Sequence, residues 1–279
     1  MTVYLDPPLW PAHGRHFSHL ISDSSLAELH AFARAVGLPE RAFEGDHYDV
    51  PEERYAALVA AGAVPVPATE LARRLRDSGL RFRKRRGERP LARVENGLST
   101  ATSAPHVLDV VASGLEQTQA GAAVVLVRAQ QWMALVRNAS RPGWSPPGGK
   151  RERGESVREG AVREVVEETG LVLETNALVA VGYERITVPD GVDPRPFETG
   201  VNHLQVFGAV VAPRSDGRSR ADRSAPGGPG TVPAPDGLPV LRPDLDDVLE
   251  AGWFTRRDAV ELAGHEPWWP LVDWWWERG

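Results

Sequence analysis

Residues 149–171 read GKRERGESVREGAVREVVEETGL, and this stretch decides the fold of the half of the chain that holds it. Four glutamates, Glu155, Glu164, Glu167 and Glu168, gather around one short helix. Ser156 and Glu159 have capping-box spacing, so the helix is expected to start at Ser156. Gly170 suits a left-handed C-terminal cap. At about 100° per residue, Ala161, Val162, Val165, Val166 and Thr169 form one arc, the expected buried face. Glu155 precedes the helix; Glu164, Glu167 and Glu168 fall on the neighbouring arc, and Gly160 among them is expected to leave room for a ligand. Like charges one turn apart repel, so a bound divalent cation is the expected compensation. Glu164 and Glu168 are expected to stack along one face and share a Mg²⁺, an ion that takes oxygen ligands and bridges to phosphate. Pro146-Pro147-Gly148-Gly149 reads as a tight turn that brings backbone amides and carbonyls to the same place.

The spacing runs Gly149, five residues, Glu155, seven residues, Arg163-Glu164-Val165, one residue, Glu167-Glu168, one residue, Gly170-Leu171. It resembles the complete Nudix box, a far more specific signal than a lone glycine motif. The one departure is Pro146, where leucine is usual before Pro-Gly-Gly. The resemblance implies an α/β fold, a Nudix α/β/α sandwich with a mixed sheet. It implies Mg²⁺-dependent (or Mn²⁺-dependent) hydrolysis of the pyrophosphate bond in a nucleoside diphosphate linked to another moiety, by attack of metal-activated water on phosphorus. Glu164, Glu167 and Glu168 would be metal ligands, joined by the Gly149 carbonyl. Glu155 would support the loop, and Arg163 would orient the glutamates through a charge-assisted pair. The general base varies within the family, and Glu198, Asp246 and Glu250 are candidates, each also readable as an ordinary surface carboxylate. Gly148, Gly149, Glu198, His203 and Glu250 are the candidate substrate contacts.

Composition agrees. The chain has 279 residues, enough for two domains, a net charge of −6 and no cysteine. Disulfides, thiolate catalysis and cysteine–zinc sites are excluded, and the negative balance argues against a dedicated nucleic-acid binder. No apolar run approaches the ~20 residues of a membrane span, and no signal peptide is evident at the start. A cytoplasmic protein is expected. Richness in Ala, Arg, Gly and Pro with little Lys points to a bacterium of high GC content.

Three parts are expected: residues 1–85, a basic linker and connector over 86–118, and a Nudix domain over 119–279 with a disordered insertion at 212–237. The basic run around Arg83-Lys84-Arg85-Arg86 reads as a solvated linker, with phosphate or RNA contact the alternative. Residues up to about Thr118 read as connector plus one short helix. In the last part, Ala122 to Val127 and Trp132 to Val136 read as a hairpin, with strands near 173–185, 203–211 and 251–254 and a helix over 255–263. The insertion has almost no large apolar side chains to offset its ordering entropy. Trp268, Trp269, Trp274, Trp275 and Trp276 read as core packing, with a homodimer contact or base stacking as alternatives.

The first part reads as a small α/β domain. Val3-Tyr4-Leu5 is a short strand, and helices are expected over 24–36, 51–61 and 68–78, with a short strand over 63–66. Five of the eight histidines lie here: His13, His16, His19, His30 and His47. Asp6, Asp23, Asp46 and Asp49 accompany them, and imidazole with carboxylate is a metal-ligand and acid–base vocabulary. His16 and His19 would share a face if helical. Asp6, His13, His19, Asp46 and His47 are expected to line one pocket, against the alternative of buried capping residues. The segments DPPLWPAHG, SHLISD, ELHAFA and GDHYDVP resemble a bacterial and phage domain family of unknown function (number 4031) over about residues 2–83, which implies no chemistry.

Two functions of different class stand open. One is an active pyrophosphohydrolase acting on a nucleotide-derived small molecule. The other is a nucleotide or nucleotide-sugar sensor that signals through the N-terminal domain without turnover. The filled box favours the enzyme, because a sensor would be expected to have lost a box carboxylate.

Overall fold

The computed structural model describes residues 2–82, 84–98, 102–139, 142–213, 232, 234–244 and 247–278. The chain divides into two compact units, Met1–Arg93 and Val94–Gly279.

The first unit contains β1 (Val3–Leu5), β2 (Trp10–Ala12), β3 (Arg15–Ser22), α1 (Leu26–Ala35), β4 (Tyr48–Pro51), α2 (Tyr55–Ala60), β5 (Val64–Pro65) and α3 (Ala68–Asp77). The sheet order is β2-β3-β1-β5, with β4 also paired to β3. Only β1–β5 is parallel among these pairs. Successive residues of β3 point to opposite faces. Leu20 accordingly joins a core with Leu29, Phe43, Tyr48 and Leu58, while Ile21 joins a second one with Leu71 and Leu75 of α3. Ser25, rather than Ser24, caps α1, accepting from the Glu28 amide. His16 and His19 lie on a strand instead of a helix, so their three-residue spacing sends them to different faces. The cause is the His13-Gly14 turn: both residues have positive φ, +50° and +76°, which closes a two-residue hairpin between β2 and β3.

The second unit contains β7 (Val107–Ser113), β8 (Ala122–Ala129), β9 (Trp132–Asn138), β10 (Gly148–Lys150), α4 (Val157–Thr169), β11 (Val179–Val188), β12 (Gly200–Val210), β13 (Val248–Thr255), α5 (Arg256–Ala263) and α6 (Trp269–Trp276). Strand β6 (Glu88–Glu95) contains the division between the units. The sheet runs β13-β9-β8-β12-β11-β7-β6, with β10 on β8. It is mixed, since β8 and β12 are parallel while β11–β12 and β9–β13 are antiparallel. Ala123, Val125 and Val127 of β8 pack with Val157, Ala161 and Val165 of α4. On α6, Leu271 reaches β11 so closely that a Cβ on Gly182 would stand 2.6 Å from it. The fold is the expected α/β/α sandwich.

Two expectations are corrected here. Residues 86–118 hold two sheet strands, β6 and β7, and no helix appears there among the described residues. Leu108, Asp109, Val110, Val111 and Ala112 are buried on both faces, so the strand is apolar without alternation apart from Asp109, which pairs with Arg185. Of the expected insertion at 212–237, residues 214–231 and 233 lie outside the described residues, as does Arg83 of the basic run. Val232, inside that insertion, already rejoins the fold, its amide donating to Ala251 O at 3.0 Å. Among the C-terminal tryptophans, Trp269 is buried, and Trp275 packs on Gly208 with Arg128 over its ring.

Candidate active site

The α4 helix begins as its sequence dictates. Ser156 Oγ accepts from the Glu159 amide at 3.2 Å, and Glu159 Oε2 accepts from the Ser156 amide at 2.7 Å. It ends at Gly170, whose φ of +71° closes a left-handed cap. The chain beyond the insertion satisfies the helix's last carbonyls: Arg242 N donates to Thr169 O and Asp244 N to Glu167 O, both at 2.7 Å.

The buried face differs from the expected arc. Val157, Ala161, Val165, Glu168 and Thr169 are buried, Val162 is half-buried and Val166 is exposed. Glu168 has only 6% of its surface exposed, so a carboxylate occupies a core-facing position of the helix. A buried charge requires partners, and Glu168 has them. Asn138 Nδ2 donates to its Oε1 at 2.8 Å and the Gly148 amide to its Oε2 at 2.7 Å.

Arg163 gathers the other three carboxylates. Its Nε donates to Glu155 Oε1 at 2.8 Å, and its Nη1 donates to Glu164 Oε1 at 3.0 Å and to Glu167 Oε2 at 2.9 Å. Its Nη2 donates to the Lys150 carbonyl at 2.9 Å, tying helix to turn. The Arg163 hydrogen bonds hold Glu155 below the usual carboxylate range. Burial pushes Glu164 up; Arg163 opposes that shift and the Glu167 charge adds to it.

Glu164 and Glu168 have separate protein partners. Among the described residues, no three of the α4 carboxylates bring ligand atoms within 4.8 Å of one another. The donor set nevertheless fits a hard divalent ion, being all oxygen. Asn138 Oδ1, beside Glu168, is a buried acceptor with no hydrogen-bond partner.

The two glycines of the turn are required by close approach. A Cβ on Gly148 would stand 2.3 Å from Ala123 O, and one on Gly149 would stand 2.5 Å from the Glu164 carboxyl carbon. Gly160 is also closely packed: its missing Cβ would meet Glu155 Oε2 at 3.1 Å and Arg151 Cα at 3.5 Å.

Gly148 and Gly149 also line a cleft of about 540 Å³. Ala122, Val124 and Leu126, the alternate residues of β8, form part of its floor, and Trp144, Phe197, Trp268 and Leu271 stand on its walls. Lys150 and the buried Glu184 lie on its surface too. Asn138, Trp144, Glu184 and Phe197 line this cleft without having been singled out by the sequence. The cleft lining does not include Glu198, His203 or Glu250. Glu198 is exposed in a loop where its backbone pairs with Asn202. His203 packs edge-on against Tyr183 at 5.4 Å. Glu250 accepts from Arg137 Nη2 at 2.7 Å across β13 and β9. Asp246 lies outside the described residues.

In the first unit, Asp6, His19, Asp46 and His47 do come together, and His13 does not. His13 is at the exposed hairpin turn, on a separate hollow lined by residues 11–16. Asp49 takes its place. His19 Nδ1 lies 3.1 Å from Asp6 Oδ2, and His47 Nδ1 lies 2.5 Å from Asp46 Oδ1. His19 Nε2 and His47 Nε2 lie 3.9 and 3.4 Å from Asp49 Oδ1.

Among the described residues, no helix is long and apolar enough to cross a membrane. Residues 3–78 match the family described as "Protein of unknown function (DUF4031)". The putative 8-oxo-dGTP diphosphatase of Bacillus subtilis (strain 168) is 42% identical over 65 residues, 23% of this chain and 43% of that protein. The chain thus spans less than half the length of that curated relative. The NUDIX domain of Shewanella oneidensis NrtR, complexed with ADP ribose, aligns at 15% identity and a TM-score of 0.40, covering 58% of this chain and 90% of that one. A bifunctional NMN adenylyltransferase/ADP ribose pyrophosphatase from Francisella tularensis, complexed with AMP and a Mn ion, aligns at 16% identity and a TM-score of 0.37, covering 58% and 43%. Residues 117–275, more than half of the chain and the whole span from before β8 into α6, match the family described as "NUDIX domain", and to that family the chain belongs.

Proposed function

We propose that the second unit hydrolyses the pyrophosphate bond of a nucleoside diphosphate linked to another moiety, with Mg²⁺ or Mn²⁺ held by Glu164, Glu167, Glu168 and the Gly149 carbonyl. One observation carries this reading: Gly148 and Gly149 belong both to the lining of the cleft and to the carboxylate cluster. A bound divalent ion would polarise the phosphoryl oxygens and lower the pKa of the attacking water.

The chain's own groups supply the rest. Arg163 orients Glu155, Glu164 and Glu167 through one planar guanidinium, a geometry that lysine cannot reproduce. Asn138 and the Gly148 amide fix the direction of Glu168. Trp144, Phe197 and Trp268 offer aromatic surface for a base, and Lys150 offers a cation for phosphate at the glycine turn. Water adds across the P–O–P bridge: its oxygen bonds to one phosphorus, and the bridging oxygen leaves on the other.

The test is a panel of ADP-ribose, dinucleoside polyphosphates, NADH, oxidised nucleoside triphosphates (8-oxo-dGTP among them) and coenzyme A, assayed with Mg²⁺ and with Mn²⁺. Release of two phosphorylated products from at least one compound, abolished in Glu164→Gln, is expected. Tight binding without turnover of any compound would replace this reading with that of a sensor.

A further inference from the structure

Outside the carboxylate cluster, the described residues bring one group of side chains within mutual metal-ligand distance: His19, His47 and Asp49, whose ligand atoms all lie within 4.8 Å of one another. The backbone sets this up. His19 on β3 is the direct cross-strand partner of Asp49 on β4. His47 immediately precedes β4. Asp6, directly after β1, lies on the other side of His19, its amide donating to His19 O at 3.2 Å.

The imidazoles are oriented from behind. Asp6 and Asp46 are buried, 1% and 2% exposed, and each meets the Nδ1 of one histidine. Asp6 is itself fixed, accepting from the His19 amide at 2.5 Å and from Trp10 Nε1 at 3.0 Å. Asp46 accepts from the Phe82 amide at 2.7 Å. With Nδ1 occupied, the Nε2 atoms of both rings are left to converge on Asp49. A carboxylate behind a histidine that presents its other nitrogen is the arrangement by which proteins fix metal-ligating imidazoles. The rings meet edge to face with centroids 4.9 Å apart, as two ligands around one point do. A tetrahedral ion with bonds of about 2.1 Å spaces its ligands about 3.4 Å apart. The separations of 3.4 and 3.9 Å to Asp49 are already close to that.

We propose that the first unit binds a divalent transition-metal ion through His19 Nε2, His47 Nε2 and Asp49, with Asp6 and Asp46 as positioning residues. Two imidazoles and one carboxylate select a first-row transition ion over Mg²⁺ or Ca²⁺. Three protein ligands leave a coordination position open to water or substrate, the composition of a reactive site rather than a closed structural one.

The test uses the full chain, stripped of metal and titrated with Zn²⁺ by calorimetry in excess Mg²⁺, in a Glu164→Gln background that weakens the other cluster. One Zn²⁺ per chain is expected. Asp49→Asn, a change at a half-exposed side chain, and His47→Gln are each expected to weaken it by at least about 10-fold, and Asp6→Asn by about 10- to 100-fold. Nitrogen-15 correlation spectra of the histidines give a direct readout, and Zn²⁺ is expected to shift Nε2 of His19 and His47. Thermal melts identify any variant that fails to fold, and the spectra of the unsubstituted binding residues decide the matter regardless. Absence of Zn²⁺ binding, equal affinity in folded Asp49→Asn and His47→Gln, or shifts confined to other histidines would each overturn the proposal.

Discussion

The amide of Gly148 donates to Glu168 Oε2 at 2.7 Å, so the turn and the helix are joined through a carboxylate that is 6% exposed. Glu168 Oε1 takes a second bond from Asn138. A glutamine at this position would turn an NH₂ group toward one of two donors. Glu168→Gln is therefore expected to lower stability by about 1–3 kcal/mol as well as to suppress turnover. Denaturant unfolding checks the first effect and initial rates the second. Unchanged unfolding would mean that these bonds carry no net stability.

Glu164→Gln separates chemistry from folding more cleanly. The side chain keeps its shape, and amide oxygen can still accept from Arg163. Turnover is expected to fall by at least about 10²-fold, the scale for loss of a metal ligand or its support, with the melting temperature nearly unchanged. Wild-type rates would reject its assignment as a ligand.

Gly149→Ala places a methyl group 2.5 Å from the Glu164 carboxyl carbon. Overpacking of this kind costs roughly 1–3 kcal/mol. Divalent-metal affinity is expected to fall with it, because the displaced group is Glu164. Calorimetric titration with Mn²⁺ measures the change.

Ser156→Ala removes an N-cap bond and is expected to cost about 1 kcal/mol. The reciprocal partner adds a pH signature. The backbone and side-chain bonds from Ser156 hold Glu159 below the usual carboxylate range. Its contribution is thus fully present above the unfolded pKa and lost as pH falls through the lower, folded one. The stability difference between wild type and Glu159→Gln should shrink on acidification in unfolding curves. A difference that grows would contradict the cap.

Trp268→Ala tests the cleft. If the ring stacks on a base, KM should rise roughly five- to tenfold with kcat little changed, the effect of about 1 kcal/mol of lost aromatic contact. A fall in kcat at constant KM would give the ring another role.

What the sequence made legible is what local rules determine. The cap at Ser156, the end at Gly170 and the hairpin of β8 and β9 follow from neighbours within a few positions. The charge network was legible only in part. Spacing put Arg163 among the glutamates, but it could not show Glu168 facing inward, because that depends on the Gly148 amide, twenty residues away along the chain. Asn138 and Glu184 gave no signal, since each stands beside an arginine, Arg137 or Arg185, in a mostly apolar strand and belongs to no motif. In the first unit, proximity of His19 and Asp49 depends on the register of β3 against β4. That pairing joins residues thirty positions apart along the chain, which no local spacing reveals. The strands of residues 88–113 were obscured by the basic run ahead of them.

The guanidinium of Arg163 has a consequence for the working life of the site. It bonds to Glu155, Glu164 and Glu167 whether or not an ion is there, so departure of the ion leaves these carboxylates tethered and part of their mutual repulsion offset. If the proposed ion binds there, chelation is expected to silence turnover while leaving the scaffold folded and ready to be recharged.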